Sequence, residues 1–154
     1  MKKFSFPLDT VLDYKQQILD SLKIEHGAIL AQVRRQEEFL ASIQSQYAAT
    51  NAELREKERS GLTIAGALIY EIGLRALEED IARETTKLET LRQQELQKRE
   101  QLVASKIDTT SLERLREKKL DSYNKTLQKD QEQFIDELVM AARSGGSPHS
   151  SAIM

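Results

Sequence analysis

The sequence predicts an all-α chain: a single antiparallel two-helix coiled-coil hairpin with the longer arm second and a disordered C-terminal tail. Three observations carry that prediction. Apolar side chains recur over residues 8–57 in alternating steps of four and three, the same spacing resumes from residue 70, and a short glycine-punctuated stretch separates the two series. Steps of four and three hold one seam in register on a helix under-wound to about 3.5 residues per turn. A short connector between two matching seams turns the second back along the first within one chain.

The first seam runs Leu8, Leu12, Lys15, Leu19, Leu22, His26, Ile29, Val33, Gln36, Leu40, Ile43, Tyr47, Thr50, Leu54 and Lys57. Roughly ten of the fifteen positions are apolar, enough to need a dry partner. Its arm is expected over about 5–58. Ser5 is the expected cap, with Pro7 in the first turn, where a missing N–H costs little, and Asp9 near the positive end of the helix dipole. Phe4 and Phe6 precede the seam and either pack on the neighbouring helix or meet a partner. Gly27, inside the pattern, costs about 1 kcal/mol relative to alanine.

Gly61 is a natural left-handed terminator, and a tip is expected over about 59–70. The stretch Leu62–Leu74 is the most apolar in the chain and carries one charge, Glu71. It is too short to cross a membrane, which takes ~20 apolar residues. The second seam is Tyr70, Leu74, Leu77, Ile81, Glu84, Leu88, Leu91, Glu95, Lys98 and Leu102, on an arm expected over about 70–141. Pairing Lys57 against Tyr70 brings Leu8 level with roughly residue 119, so the rest of the second arm overhangs. The seam slips by about one residue there, from the frame of Leu102 and Leu112 to that of Leu120, Leu127, Phe134 and Leu138, which implies a change of partner. Asp108-Thr109-Thr110-Ser111 has capping-box spacing with Glu113, yet an unbroken helix absorbs it as well, and that is the expectation. From Ser144 to the end, the Gly- and Ser-rich tail, residues 144–154, has no means of burying a core.

Composition fits this layout and excludes much else. Ala, Glu, Lys, Leu and Arg make up roughly half of the residues, the level of a long-helix chain. With 39% hydrophobic and 5% aromatic residues, no tryptophan and a formal charge of −2, a thick core and a strongly basic nucleic-acid binder are both disfavoured. The chain has no cysteine, hence no disulfide or thiolate metal site. Charges at Asp9, Asp13 and Lys15 interrupt any signal-peptide core. No phosphate loop, zinc-protease motif or EF-hand loop is present. The reading is therefore of no catalytic, cofactor-binding or metal residues, and of no enzyme. His26 reads as a polar seam position, and Glu37/Glu38 and Glu78/Glu79/Asp80 as solvated faces. Arg114, Arg116, Lys118 and Lys119, the densest basic run, are spread around the helix and suit an acidic protein surface better than a nucleic-acid groove.

The opening Phe4-Ser5-Phe6-Pro7-Leu8-Asp9-Thr10-Val11-Leu12-Asp13-Tyr14-Lys15 resembles that of the flagellar FliJ family, itself similar to the YscO family of injectisomes. The far end, Leu112–Tyr123 followed by Asp130–Leu138, resembles the family's closing pattern of a Leu-rich basic run, a tyrosine and a terminal Asp-Glu. The likeness spans residues 4 to about 140. It implies a non-catalytic stalk component of the flagellar type III export apparatus, cytoplasmic and peripheral at the inner membrane. The implied partners are the hexameric export ATPase, the cytoplasmic domain of the export gate and export chaperones, with no nucleic acid, no membrane insertion, no cofactor and a monomeric state when isolated. The alternatives are a structural coiled-coil adaptor and a homodimeric scaffold.

Two surfaces are assigned to those tasks. Arg114, Arg116, Lys118, Lys119, Leu120, Leu127, Phe134 and Leu138, on the overhang, are the candidate ATPase-facing set. The alternative there is that the stripe folds onto residues 1–7 or dimerises. Phe39, Ile43, Tyr47, Leu68, Ile69 and Ile72 are the candidate gate- or chaperone-facing set, with a self-packed tip as the alternative.

Overall fold

A computed structural model describes residues 2–145. Those residues form two helices, α1 over Asp9–Ser60 (52 residues) and α2 over Ile64–Gly145 (82 residues), paired antiparallel with the longer arm second. By internal packing the chain divides into a unit of Gln16–Lys106 and a unit of Met1–Lys15 with Ile107–Met154.

Helix α1 starts later than Ser5 would place it. Asp9 N donates to Phe6 O at 3.1 Å, closing a turn with Pro7 at its second position, and Leu12 N donates to Leu8 O at 2.8 Å as the first helical bond. Proline's fixed φ suits that corner and its missing N–H costs nothing there. Asp9 sits in the first turn and Lys57 and Arg59 in the last, each complementing the helix dipole. The helix stops at Ser60 because Gly61 adopts a φ of 101°, as a left-handed terminator does.

The connector is shorter than expected: Gly61, Leu62 and Thr63 alone separate the helices, and residues 64–70 are the first turns of α2. Thr63 caps that start, its Oγ1 accepting from Gly66 N at 3.1 Å and its carbonyl from Ala67 N at 2.9 Å. Gly66 packs closely against the connector: a Cβ there would lie 2.8 Å from Leu62 Cδ1, and that side-chain end would have to shift. With the cap satisfied, no longer loop is needed.

Within the Gln16–Lys106 unit, every position of the two predicted seams except the exposed Lys57 is buried or half-buried. Leu19, Leu40, Ile43 and Leu54 of α1 and Leu74 and Leu88 of α2 are the buried apolar members, spread along the seam. Polar seam members are paired across it. His26 Nε2 lies 2.9 Å from Glu95 Oε1, and Gln36 Nε2 donates to the Glu84 carboxylate at 2.6 Å and to the Glu84 carbonyl at 3.1 Å. Flanking ion pairs Lys98–Glu25 at 2.8 Å and Arg92–Glu37 at 3.1 Å agree with the same register.

In the other unit, Lys15 pairs with Asp108 at 3.6 Å and Arg116 with Asp9 at 3.1 Å. The helix runs unbroken through residues 108–111. Ser111 Oγ donates back to the Ile107 carbonyl at 2.9 Å instead of capping, and Thr109 is buried in the seam. The C-terminal end departs from expectation by two residues: Ser144 and Gly145 are helical, with Ser144 Oγ donating to Ala141 O at 3.1 Å. The remainder of the predicted tail lies outside the described residues.

Two substitutions test this packing by circular-dichroism melts. Gly27 has ordinary helical φ and open space at its Cβ, so Gly27→Ala is expected to stabilise by about 1 kcal/mol; loss of stability would contradict the exposed helical setting. Leu88→Ala, in the buried seam, is expected to cost about 2–4 kcal/mol, whereas Ile24→Ala, on an exposed face, should stay within about 0.5 kcal/mol.

Candidate functional site

The slip in the second seam coincides with a change of partner. Past Arg116, the half-buried side of α2 passes through Leu120, Tyr123 and Leu127, and what lies against it is the N-terminal segment rather than a helix. Phe6 is only 4% exposed. Phe4 packs on Tyr123 with ring centroids 5.7 Å apart, Arg116 stands 5.5 Å over the Phe4 ring, and Tyr123 Oη donates to the Lys2 carbonyl at 2.6 Å. Residues 2–6 thus act as a strap, extending the cover of α2 beyond the point where α1 begins.

The strap changes the standing of the overhang residues. Arg116 is engaged by Asp9 and Phe4, and Leu120 and Leu127 are partly covered. Arg114, Lys118 and Lys119 remain exposed. Beyond Leu127 nothing among the described residues covers the stripe: Phe134 is 61% and Leu138 54% exposed, with Ile135, Val139 and Met140 also bare. Phe134 and Ile135 flank a shallow groove with Asp130 and Gln131. Steps of seven and four carry the Leu120–Leu127 face on to Phe134 and Leu138, so the bare residues continue a seam.

The second set separates into two kinds of residue. Ile43, 7% exposed, belongs to the dry seam and not to the surface. Tyr47 is half-buried, its Oη donating to Glu78 at 2.9 Å. Glu78 beside that hydroxyl pushes the Tyr47 phenol up. Phe39 is exposed, but it does not join the tip. Tyr70 Oη donates to Glu53 at 2.9 Å, which sets Ile69 near residue 54, about fifteen residues or ~23 Å along the helix from Phe39. Leu68, Ile69 and Ile72 do form one exposed apolar surface, joined by Ile64, with Ile69 71% exposed. Ile64, Leu68 and Ile72 recur every fourth residue, while seam members Tyr70 and Leu74 stand about 200° around from Leu68 and Ile72 respectively. The first turns of α2 are therefore apolar on both sides. Lys57 flanks them, its ammonium 5.3 Å over the Tyr70 ring; Tyr70 pushes its pKa up.

Two long helices, the Phe-Pro entry and the closing Tyr123 region are what a comparison must account for. The family model described as Flagellar FliJ protein matches residues 4–146, nearly the whole chain. The chain belongs to the flagellar FliJ family. No curated protein and no solved structure gives a match. FliJ membership makes the chain a component of the flagellar export apparatus. No described helix is long and apolar enough to cross a membrane. Among the described residues no group of three His, Asp or Glu side chains gathers as metal ligands.

One polar group in this FliJ chain carries a pH signature. Glu95 accepts two bonds from Arg99, at 3.0 and 2.8 Å, besides its contact with His26. Arg99 first, then His26, holds the Glu95 carboxyl below its usual 4.5, and Glu95 in turn raises Arg99. A folded-state pKa below the unfolded value means that the charged form is favoured by folding. The stability it brings is complete above the unfolded pKa and is lost as pH falls through the folded one. Melting temperature followed from pH 7 downward should therefore fall more steeply below about pH 4.5 in the parent than in Glu95→Gln. Parallel curves would remove the assignment.

Proposed function

We propose that this FliJ-family chain is a non-catalytic coupling stalk of the flagellar type III export apparatus. It engages the export ATPase ring through the bare end of α2 and the export gate and escort chaperones through the apolar start of α2. It acts in the cytoplasm, peripheral to the inner membrane, and catalyses nothing itself; the described helix pair offers open grooves rather than a deep pocket that excludes water.

The observation that supports the ATPase assignment best is the continuation of the α2 seam past its cover. Phe134 and Leu138 occupy positions that elsewhere on α2 face a partner, and here no part of the described chain meets them. Large side chains in seam register are built to be buried, each worth roughly 1.5–3 kcal/mol when they are. Arg114, Lys118 and Lys119, exposed about four to six turns before Phe134, add cations for an acidic rim. At the other surface, Ile64, Leu68, Ile69 and Ile72 lie opposite the seam, where the hairpin itself cannot cover them. The homodimeric alternative loses ground because α2 already occupies the α1 seam within the chain.

Turnover of the cognate export ATPase, measured with increasing amounts of this protein, should rise, and no effect across a wide excess would leave only the adaptor reading. In pull-downs, Phe134→Ala with Leu138→Ala should weaken ATPase capture roughly tenfold or more, while Ile69→Asp leaves it intact. The reverse pattern would exchange the two assignments. Light scattering should give a monomer near 17.6 kDa for the isolated chain; a concentration-independent dimer would revive the scaffold.

A further inference from the structure

The strap creates a cleft that shares only Lys119 with the surfaces assigned above. Between residues 2–7 and the stretch of α2 from Lys119 to Thr126 lies an open groove of about 400 Å³. Its floor is apolar, from Phe4 and Pro7 with the Tyr123 ring; its charged lining is Lys2, Lys3 and Lys119, its hydroxyls come from Ser5, Ser122 and Thr126, and no carboxylate lines it. Among the described residues none of the three lysines is in an ion pair. That is a contrast with Lys15 and Arg116 in the same unit, both of which are paired.

The helix surface beside the cleft extends the same chemistry. Lys118, Ser122, Lys125 and Lys129 recur at intervals of four, three and four, which keeps them on one face, and all are exposed. Glu117 and Asp121 each stand two residues from Lys119, about 200° around the helix, so they point away from Lys119, while Asp121, three residues from Lys118 and four from Lys125, borders the lysine row. Asp130, one turn beyond Thr126, bounds the basic face. In a chain of formal charge −2, three lysines without an ion pair bordering one groove are a local excess that does not follow from composition.

We propose that this cleft binds a phosphate group. Lysine meets phosphate as a point charge, whereas a carboxylate partner is better matched by the two-pronged guanidinium of arginine, and no arginine lines the cleft. Hydroxyls of Ser5, Ser122 and Thr126 supply neutral donors to the remaining oxygens. The volume exceeds that of a phosphate ion, which leaves room for what the phosphate is attached to. The phosphate is carried by an anionic lipid headgroup or by a soluble molecule. The neighbouring lysine row, Lys118, Lys125 and Lys129, suits a surface bearing many such groups. The inference stands apart from the ATPase reading, because its test contains no ATPase.

The test uses the full chain in two arms. In one, the protein is floated with vesicles of phosphatidylglycerol in phosphatidylcholine. In the other, amide shifts are followed by NMR during titration with inorganic phosphate. The triple variant Lys2→Gln, Lys3→Gln, Lys119→Gln is compared with Lys87→Gln, an exposed lysine of the other unit. Melts check that both fold, as expected for exposed lysines. Weaker binding by about fivefold per lysine removed, specific to the triple variant, is the expected result. If it is seen with vesicles only, the source is the headgroup; if it is seen with inorganic phosphate, with shifts centred on Ser5, Ser122 and Thr126, the phosphate alone suffices. A triple variant that binds no more weakly than Lys87→Gln in either arm overturns the proposal, as does no binding in both.

Discussion

A helix in a two-stranded pair can bury one stripe only, and the organisation of this chain rests on that constraint. Along α1 the stripe is fully used: the four-three series from Leu12 to Leu54 is buried or half-buried throughout. Helix α2 is 82 residues against 52, so its own stripe outruns the cover that α1 provides. Part of the excess is met by residues 2–6, which place Phe4 and Phe6 on the helix where no third helix exists. What remains, Phe134 and Leu138, is apolar surface in seam register without an owner in the described chain.

Polar groups within the seam fix which residues face each other. Hydrophobic contacts between leucines tolerate sliding by a heptad, but Gln36 with Glu84 and His26 with Glu95 do not, because a slide would leave each half-buried partner unmatched. The two ends of the register are marked by Tyr70 on Glu53 and by Arg116 on Asp9. Register matters for function because it decides where the cover ends. A one-heptad shift would bring the α1 start opposite a different part of α2 and displace the strap from Tyr123.

Much of this was legible in the residues. Periodicity placed the seam side of both arms, Gly61 marked the end of α1, and the slip near Leu120 signalled a new partner. Three things were legible only in part or not at all, for identifiable reasons. The strap stood as one of two readings, Phe4 and Phe6 packing on the neighbouring helix and the stripe folding onto residues 1–7, because it has no periodicity of its own and its fit depends on Arg116 and Tyr123, more than a hundred positions away in sequence. The start of α2 was hidden because Ile64–Ile72 is apolar on both sides, which erases the one-sided pattern that identifies a helix, while Thr63 as its cap is a single residue. Grouping Phe39 and Ile43 with Ile69 failed because proximity in an antiparallel pair follows register and not composition: Ile43 is part of the seam, and Phe39 lies well along α1 from the residues that pair with the tip. Among the basic residues, sequence could not separate Arg116, held by Asp9, from Lys119, which is unpaired.

Hydrogen exchange of the isolated chain and of its complex with the cognate export ATPase addresses the uncovered seam most directly. Amides of residues 128–145, on a single helix with no neighbour among the described residues, should exchange fastest among the helical segments in the isolated chain and slow markedly in the complex, with residues 62–76 unchanged. Protection appearing at residues 62–76 instead, with 128–145 still exchanging freely, would contradict the assignment of the ATPase to the bare end of α2.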